Sequence, residues 1–246
     1  MIADRAFAEL DALDAVTTIR VVDVGCHKAH FRDAIRCRKA IWSLGIDPCD
    51  YGVGAHFDLF LPIAVDDVAD AQTRPFFHYI EPGCNSLLPM NMDLITHDPA
   101  RPKGKWFVGW PIERVERVTQ VPVHSLCRVL EVALPAGGLV HFLKIDAQGA
   151  DLRVIRSLGE RLRDVLFLQT EAVASHDPAV TLYRGQTILE DEVAEMSRRG
   201  FEVFGLQDYS AQASPEADVV YVNRALWDEL RAGSAASGRT PAVKIR

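Results

Sequence analysis

Carboxylates close three apolar segments of the sequence, at the places where buried strands would end. Asp23 closes IRVVD, Asp47 closes IWSLGID and Asp146 closes GLVHFLKID. Because an open α/β sheet binds its ligands beyond the carboxyl ends of its strands, these side chains are predicted to share one site. Asp47 is placed to accept both hydroxyls of a ribose. Asp66, with Asp67, ends a further apolar segment, where a side chain could meet an adenine edge.

The turn that follows Asp23 carries a single glycine, Gly25, before the residues CHKAHF. A dinucleotide-binding fold prefers the spacing G-x-G-x-x-G, which lets a pyrophosphate lie on the N-terminus of a helix. The missing glycines disfavour a nicotinamide or flavin cofactor, although a nicotinamide-dependent oxidoreductase stays as an alternative. S-adenosylmethionine has no phosphate, so it suits this turn better.

Alternating strand-like and helix-like segments would position these residues. Apolar, β-branched segments predict strands at 19–24, 41–47, 57–67, 138–146, 164–173, 201–206 and 217–223. Amphipathic spacing predicts helices at 2–16, 27–39, 124–134, 151–162 and 186–199. The pattern indicates an α/β fold with about seven strands, mostly parallel with an antiparallel last strand, and with helices on both faces.

One domain is predicted over residues 1–232, followed by a flexible tail at 233–246. Its N-terminal half, 17–67, would bind the cofactor, and its C-terminal half spans 123–232. The segment between the halves, 68–122, is rich in proline and aromatic residues and reads as an insertion.

This insertion contains a strand-like stretch at 76–80, and its prolines argue against long helices. A long loop inside a compact domain is usually functional, so the insertion is predicted to cover the strand ends. Trp106 and Trp110 are candidates for a wall that receives the acceptor substrate, since aromatic faces stack on sugars and rings.

The chain has 246 residues, a formal net charge of −7 and a pI of about 5.6. An acidic chain is a poor candidate for a grip on phosphate backbones, so nucleic acid is not expected as a partner. The five cysteines show no CxxC pair, which indicates reduced thiols and a cytoplasmic protein. No secretory signal or membrane-length apolar run is found, so no membrane is expected. The aromatic insertion could serve an oligomer contact.

The segments VVDVGCHKAHF and LKIDAQGADLRVIRSLG resemble the FkbM-type family of S-adenosylmethionine-dependent methyltransferases. That family usually reads DVGANxGxF or DVGAHxGxF at the first place and LKIDVEGAE or LKIDTQGYE at the second. The segment YRGQTILEDEVAEMSRRGFEVFGL resembles the family's Y-x-G-Q stretch with the helix and strand that follow, and LPIAVDD and NSLLP resemble two weaker segments. Together they cover roughly residues 19–222, in the family's order.

The resemblance implies a Rossmann-like class I methyltransferase fold that binds S-adenosylmethionine with Asp23, Gly25 and Asp47. It also implies O-methyl transfer to a hydroxyl of a small-molecule acceptor, a sugar or a polyketide-type natural product. Two departures are Ala29, where a second glycine is usual, and Asp151, where glutamate is commoner. They leave a non-catalytic protein with a methyltransferase fold as a further alternative.

Methyl transfer to a hydroxyl requires a group that removes the acceptor's proton, near the ends of the fourth and fifth main strands. Asp146, Glu171 and His176 are the candidates. Asp146 could instead cap the following helix or bind Lys144, and a lone loop histidine such as His176 is more often solvated. The turn that starts at Gln148 lets the backbone approach the methyl site, which makes Gln148 a candidate substrate contact.

The predicted cofactor-binding residues lie at the strand ends and in the first turn: Asp23, Gly25, Cys26, His27, Phe31, Asp47, Asp66 and Asp146. Cys26, His27 and His30 have the order C-H-x-x-H, but adjacent residues of a helix point in different directions and no distant pair matches. A polar turn near the cofactor is therefore favoured over a metal site. A Mg²⁺ held by Asp146 and Glu171 with substrate hydroxyls is the alternative metal site.

Overall fold

A computed structural model of the chain describes residues 2–92, 114–134, 138–174, 181–209 and 216–234, with the backbone alone of 95–96, 106–107 and 235–236. The helices are α1 (Ala3–Ala12), α2 (His30–Ala34), α3 (Leu126–Ala133), α4 (Asp151–Arg156), α5 (Leu189–Arg198) and α6 (Arg224–Ala236). The strands are β1 (Thr18–Val24), β2 (Ala40–Ile46), β3 (Leu59–Leu61), β4 (Ala64–Val65), β5 (Gln72–Tyr79), β6 (Ile95–Thr96), β7 (Trp106–Phe107), β8 (Val115–His124), β9 (Val140–Ile145), β10 (Val165–Val173), β11 (Phe201–Asp208) and β12 (Glu216–Asn223).

Within the described residues, seven strands form the main sheet in the order β3-β2-β1-β9-β10-β12-β11. β1 pairs in parallel with β2 and β9, and β9 pairs in parallel with β10. β12 runs antiparallel to both of its neighbours, β10 and β11. The prediction of an α/β fold with a mostly parallel sheet and an antiparallel last strand is confirmed. The parallel strands all end at one edge, which gathers the residues that follow them.

Each face of the main sheet packs on helices, because successive strand residues point to opposite faces. From β1, Val22 and Val24 face the apolar layer that contains residues of α3, α4 and α5. Ile19 and Val21 face the layer that contains residues of α1, α2 and α6. Helices on both faces are therefore confirmed. None of the described helices is both long and apolar enough to span a membrane.

Several predicted elements are shorter than the sequence pattern indicates. The strand predicted at 57–67 is split, because Pro62 separates β3, which joins the main sheet, from β4, which does not. The helix predicted at 27–39 is only α2, because His27 and Ala29 before it have left-handed backbones that cannot extend a right-handed helix.

The predicted helix at 151–162 ends as α4 at Arg156, and a 3₁₀ turn follows at Gly159–Asp164. The predicted flexible tail at 233–246 begins as helix, since α6 continues to Ala236. The remainder of that tail lies outside the described residues.

A second sheet, in the order β4-β8-β5, contains the two long strands of the described part of the insertion at 68–122. β5 and β8 pair antiparallel, and β4 joins β8 in parallel. The strand predicted at 76–80 lies within β5 except for residue 80, and β5 begins earlier, at Gln72. Trp106 lies in β7, where only the backbone is described, and Trp110 lies outside the described residues.

Candidate functional site

The carboxyl ends of β1 and β2 open into a cavity with an empty volume of about 610 Å³, part of it continuous with solvent. Its walls come from the turns after β1, β2 and β9, from β4 and β5, and from the loop after β5. We call it the first cavity. Its polar lining residues include Gly25, His27, Asp47, Tyr51, Asn85 and Asp146.

Asp47 follows the last residue of β2 and is nearly fully buried in the wall of the first cavity. The N–H groups of His27 and Cys49 donate to its two carboxylate oxygens, at 3.0 and 2.8 Å. Burial raises the pKa of Asp47 to about 6, although these backbone donors oppose the shift. Each carboxylate oxygen can accept more than one hydrogen bond, so Asp47 is held in place and still able to bind a ligand.

The turn between β1 and α2 has an alternating backbone. Gly25, His27 and Ala29 have φ angles of +73°, +41° and +59°. A Cβ atom on Gly25 would lie 1.9 Å from the carbonyl oxygen of Asp146, so the neighbouring turn itself requires glycine here. Ala29 is fully buried and has the left-handed conformation that glycine adopts most easily. The backbone shape expected of a second glycine is therefore present without it.

A second cavity, with an empty volume of about 740 Å³ and also partly open to solvent, lies between residues of β1, β9, β10, β12 and α2. Asp23, Lys144 and Gln169 are register neighbours on β1, β9 and β10, which places their side chains on the same face of the sheet. Glu171 stands directly opposite Asp218 in the antiparallel pair of β10 and β12. All five of these side chains line this second cavity.

Gly25, His27 and Asp146 line both cavities and form the junction between them. The Nε2 atom of His27 is buried and has no hydrogen-bond partner among the described residues. Its ring packs edge-on against Tyr51, with centroids 4.9 Å apart. Burial lowers the pKa of His27, and Lys28 acts in the same direction. The imidazole is therefore uncharged at neutral pH and can accept a proton.

Asp23 is fully buried, and neither of its carboxylate oxygens accepts a hydrogen bond from the described part of the chain. The Nζ atom of Lys144 lies 4.0 Å from Oδ1. Burial raises the pKa of Asp23 to about 7, and the opposing effect of Lys144 is smaller. A buried polar group without a partner is uncommon in folded proteins, and here it faces a cavity where a ligand could supply one.

Asp146 follows the last residue of β9, and both of its carboxylate oxygens are engaged. Lys144 Nζ donates to Oδ2 at 2.9 Å, and Gln148 Nε2 donates to Oδ1 at 2.7 Å. Burial alone would lower the pKa of Lys144, but the carboxylates of Asp146 and Asp23 outweigh burial and raise it. Asp146 is thus a fixed negative charge paired with a permanent cation.

Tyr183, from the Y-x-G-Q segment, holds the turn after β9. Gln148 and Gly149 have φ angles of +49° and +89°, and a Cβ atom on Gly149 would lie 2.9 Å from the Tyr183 side chain. The Tyr183 hydroxyl lies 2.9 Å from both Gln148 Oε1 and the carbonyl oxygen of Cys84. The Ser86 hydroxyl donates to the carbonyl oxygen of Gln148 at 2.8 Å. The loop after β5 and the Y-x-G-Q segment together position Gln148 in the wall of the first cavity.

Most of the site residues predicted from the sequence line these cavities: Asp23, Gly25, Cys26, His27, Phe31, Asp47, Asp146, Gln148 and Glu171. Burial raises the pKa of the Cys26 thiol, so this side chain contributes an uncharged wall. Phe31 stacks on Phe142, with centroids 5.4 Å apart. His176, the third candidate base, lies outside the described residues, as do Trp110 and the side chain of Trp106.

Asp66, predicted as an adenine contact, lines neither cavity. It is fully buried after β4, where Arg74 Nη1 lies 2.5 Å from Oδ2 and Arg153 donates to the same oxygen. The N–H of Asp67 donates to Oδ1 at 2.7 Å. The break at Pro62 places this carboxylate in the second sheet, where it binds two arginines.

Sequence reasoning missed the apolar wall of the first cavity and also the polar side chains of Tyr51, Asn85, Gln169 and Asp218. Asn85 Nδ2 donates to the Tyr51 hydroxyl at 2.8 Å, and its place in the NSLLP segment was the available signal. No local signal could have found Asp218, because its place opposite Glu171 depends on the register of β12 against β10.

No cluster of three or more His, Cys, Asp or Glu side chains suited to a metal ion occurs in the described ranges of the chain. Cys26, His27 and His30 therefore form no such cluster. At the alternative magnesium site, Lys144 Nζ already binds Asp146, beside the position that the ion would take.

No protein-family model matches the chain, and no curated protein is significantly similar to it. The geometry and chemistry of the two cavities are therefore what bear on the function.

Proposed function

We propose that the chain is an S-adenosylmethionine-dependent O-methyltransferase that acts on a hydroxyl of a small molecule. The observation that carries this proposal is the meeting of two cavities at Gly25, His27 and Asp146, with Asp47 held by backbone N–H groups in the first of them. One cavity would hold the nucleoside, and the other, which shares these three residues, would hold the acceptor beside it. A mostly parallel sheet with an antiparallel last strand is also what the resemblance to FkbM-type methyltransferases implies.

The residues of the first cavity fit an adenosine group. Asp47 would accept hydrogen bonds from the ribose hydroxyls at the end of β2, where such a carboxylate is expected. Ile63, Val65, Phe76 and Leu87 provide an apolar wall suited to a purine face. Asp66 is not needed to bind the adenine, since these apolar side chains would contact it instead.

The charges favour this cofactor over a dinucleotide. The residues that line the first cavity, among those described, include two carboxylates, Asp47 and Asp146, and no lysine or arginine. A pyrophosphate would lack a cationic partner there, and α2, with five residues, is too short to offer a strong helix N-terminus. S-adenosylmethionine carries a sulfonium and an ammonium. Asp23, whose carboxylate oxygens accept no hydrogen bond from the described residues, suits such a cation.

S-adenosylmethionine, when bound, supplies a methyl group on a positively charged sulfur. The chain's part is to align the acceptor and to take its proton. His27 Nε2 is placed for this task, because it is unpartnered, uncharged at neutral pH and lies at the junction of the cavities. Asp146 is less suited to be the base, because Lys144 and Gln148 already occupy its two oxygens. It orients Gln148 and holds negative charge at the junction.

Calorimetric titration of the full chain with S-adenosylhomocysteine tests the proposal, with NAD⁺ as the comparison titrant. Binding of S-adenosylhomocysteine in the micromolar range without binding of NAD⁺ is expected. Radiolabelled methyl transfer to a panel of sugars and polyketide-type hydroxyl compounds then tests turnover, and His27→Gln should lower kcat far more than cofactor affinity. Binding of NAD⁺ in place of S-adenosylhomocysteine would overturn the assignment.

A further inference from the structure

Glu171 and Asp218 face each other directly across the antiparallel pair of β10 and β12. Side chains opposite one another in such a pair lie on the same face of the sheet, and like charges in this arrangement are destabilising. Burial raises the pKa of both carboxyls, and for Glu171 nearby carboxylates add to the shift. The Tyr209 hydroxyl donates to Asp218 Oδ2 at 2.6 Å, which leaves Oδ1 without this donor. The pair thus places two acidic groups side by side. Gln169 also hydrogen-bonds Asp218, and Lys144, the cation that acts on Asp218, is itself bound to Asp146.

Gln169 provides a second, independent observation at the same place. It is 6% exposed, it lines the second cavity, and its Oε1 atom has no hydrogen-bond partner within the described ranges. Gln169 is two residues before Glu171 on β10, so both side chains point to the same face. Lys144, the lysine that lines this cavity, is already bound to Asp146. We call Gln169, Glu171 and Asp218 the acidic end of the second cavity.

We propose that the acidic end binds a protonated amine of the acceptor, so that the substrate is an amine-bearing hydroxyl compound such as an amino sugar or an amino alcohol. An alkylammonium has three N–H donors and no acceptor. Gln169, Glu171 and Asp218 offer one accepting group each. A bound ammonium favours the charged form of both carboxyls, and charge-assisted hydrogen bonds of this kind are the strong ones. The ammonium would also remove the repulsion between the two carboxylates.

This inference rests on the proposed function, because it takes the second cavity to be the acceptor site. The inference also explains how the acceptor would be oriented. With its amine bound at the acidic end, the rest of the acceptor would extend toward the junction at His27, where its hydroxyl can lose a proton. The cofactor carries an ammonium of its own, with Asp23 and Asp146 nearer to the junction as its partners. Saturation with S-adenosylhomocysteine fills the site of the cofactor's ammonium, so an amine titrated afterwards reports the acceptor site alone.

The test is a calorimetric titration of the full chain, with and without saturating S-adenosylhomocysteine. Titrants are matched pairs of an amine and its N-acetyl derivative, led by glucosamine with N-acetylglucosamine and ethanolamine with N-acetylethanolamine. The amine of at least one pair should bind at least about tenfold more tightly than its neutral partner. The double variant Glu171→Gln, Asp218→Asn should lose that preference, and Glu131→Gln, on the exposed surface of α3, should retain it.

The double variant should keep its affinity for S-adenosylhomocysteine and unfold at no lower temperature, since it removes a repulsion, and this confirms that it folds. An equal affinity for amine and N-acetyl partner in every pair, or a preference that survives in the double variant, would overturn the inference. If S-adenosylhomocysteine binds normally in that case, the proposed function stands without the amine. If it does not bind at all, the proposed function fails, and the titrations without it still decide whether the acidic end binds an amine.

Discussion

A Cβ atom on Gly25 would lie 1.9 Å from the carbonyl oxygen of Asp146, so the turns after β1 and β9 touch backbone to backbone. The N–H of Asp146 donates to the carbonyl oxygen of Val24 at 2.9 Å, and the N–H of Gly25 donates to that of Ile46 at 2.8 Å. Three strand ends are thereby joined through main-chain atoms. These main-chain contacts fix the backbone at the junction of the two cavities, and the backbone in turn fixes the positions of the side chains there.

Gly25→Ala should therefore damage both the fold and the site. The added Cβ overlaps a backbone oxygen that cannot move without shifting β9, and φ is +73°. We expect a loss of about 3 kcal/mol or more in the free energy of unfolding. Urea denaturation followed by circular dichroism measures this loss.

Gly52→Ala is the matched control, because φ there is +78° and nothing lies within 4 Å of the added atom. It should cost only about 1 kcal/mol. Equal losses for the two variants would contradict the contact.

Asp47→Asn should weaken cofactor binding and flatten its pH dependence. The pKa of Asp47 is raised to about 6 by burial, so its carboxylate loses its charge as the pH falls through that value. The affinity of the wild type for S-adenosylhomocysteine should then fall below pH 6. The variant should bind about tenfold more weakly than the wild type above pH 6, and its affinity should lack this part of the decline. Calorimetry from pH 5 to pH 8 measures both. Asp23, with a pKa of about 7, titrates in both proteins. Loss of the Asp47 charge lowers the Asp23 pKa, but this charge is the smallest of the contributions to the Asp23 shift, so most of the difference between the proteins reports Asp47.

The control for that experiment is Asp50→Asn, an exposed aspartate in the same loop whose Oδ1 accepts the N–H of Gly52 at 2.8 Å. Its pH profile should match that of the wild type. A wild-type affinity that does not change between pH 5 and pH 8 would remove Asp47 from the cofactor site.

Asp66→Asn should destabilise the chain and leave the cofactor site intact. The substitution removes the charge that pairs with Arg74 and Arg153, whose side chains are each 32% exposed. Breaking a buried ion pair costs several kcal/mol, and the partial exposure of the arginines reduces this to about 2 kcal/mol. Denaturation and calorimetry on the same preparation should show lower stability with an unchanged affinity. A loss of affinity without a loss of stability would instead favour the adenine contact that the sequence predicted.

Glu192→Gln should reduce the pH dependence of stability. Glu192 is buried, accepts hydrogen bonds from the hydroxyls of Thr170 and Tyr221, and has its pKa raised by burial from 4.5 to about 7. The native state therefore binds this proton more tightly than the unfolded state, and Glu192 costs stability as the pH rises from about 4.5 to about 7. The loss of stability between pH 5 and pH 8 should shrink by about 2 kcal/mol in the variant. Asp191→Asn, an exposed neighbour on α5, should leave the slope unchanged, and a variant with the wild-type slope would contradict the shift.

The strand-end carboxylates could be predicted from the sequence because each signal is local. A buried parallel strand is a continuous apolar run, and the run stops where the chain leaves the sheet. Asp47 and Asp146 follow that rule, whereas Asp23 is still inside the sheet, one residue before the end of β1. All three line a cavity. The seven-stranded sheet could be predicted for the same reason.

The remaining parts depend on contacts that no local pattern encodes. Asp66 follows an apolar run as the others do, yet a proline break sends its strand to a different sheet. Gln169 and Asp218 look like ordinary polar residues in strands, and only the pairing of β9, β10 and β12 brings them to one cavity. The sequence pattern predicts His27 in a helix. Its positive φ places it instead in the turn before α2, at the junction of the two cavities.

The order of the strands in space also sets a sequence of events during synthesis. β12 lies between β10 and β11, so β11, which leaves the ribosome first, has no strand of the described main sheet to join until β12 arrives. The residues that line the first cavity all lie at or before residue 150, whereas Asp218 completes the second cavity near the end of the described chain. A nascent chain thus contains every residue that lines the first cavity while the edge of β10 is still open to unwanted pairing. Binding of a ligand in the first cavity would stabilise the incomplete sheet until β12 is inserted between β10 and β11.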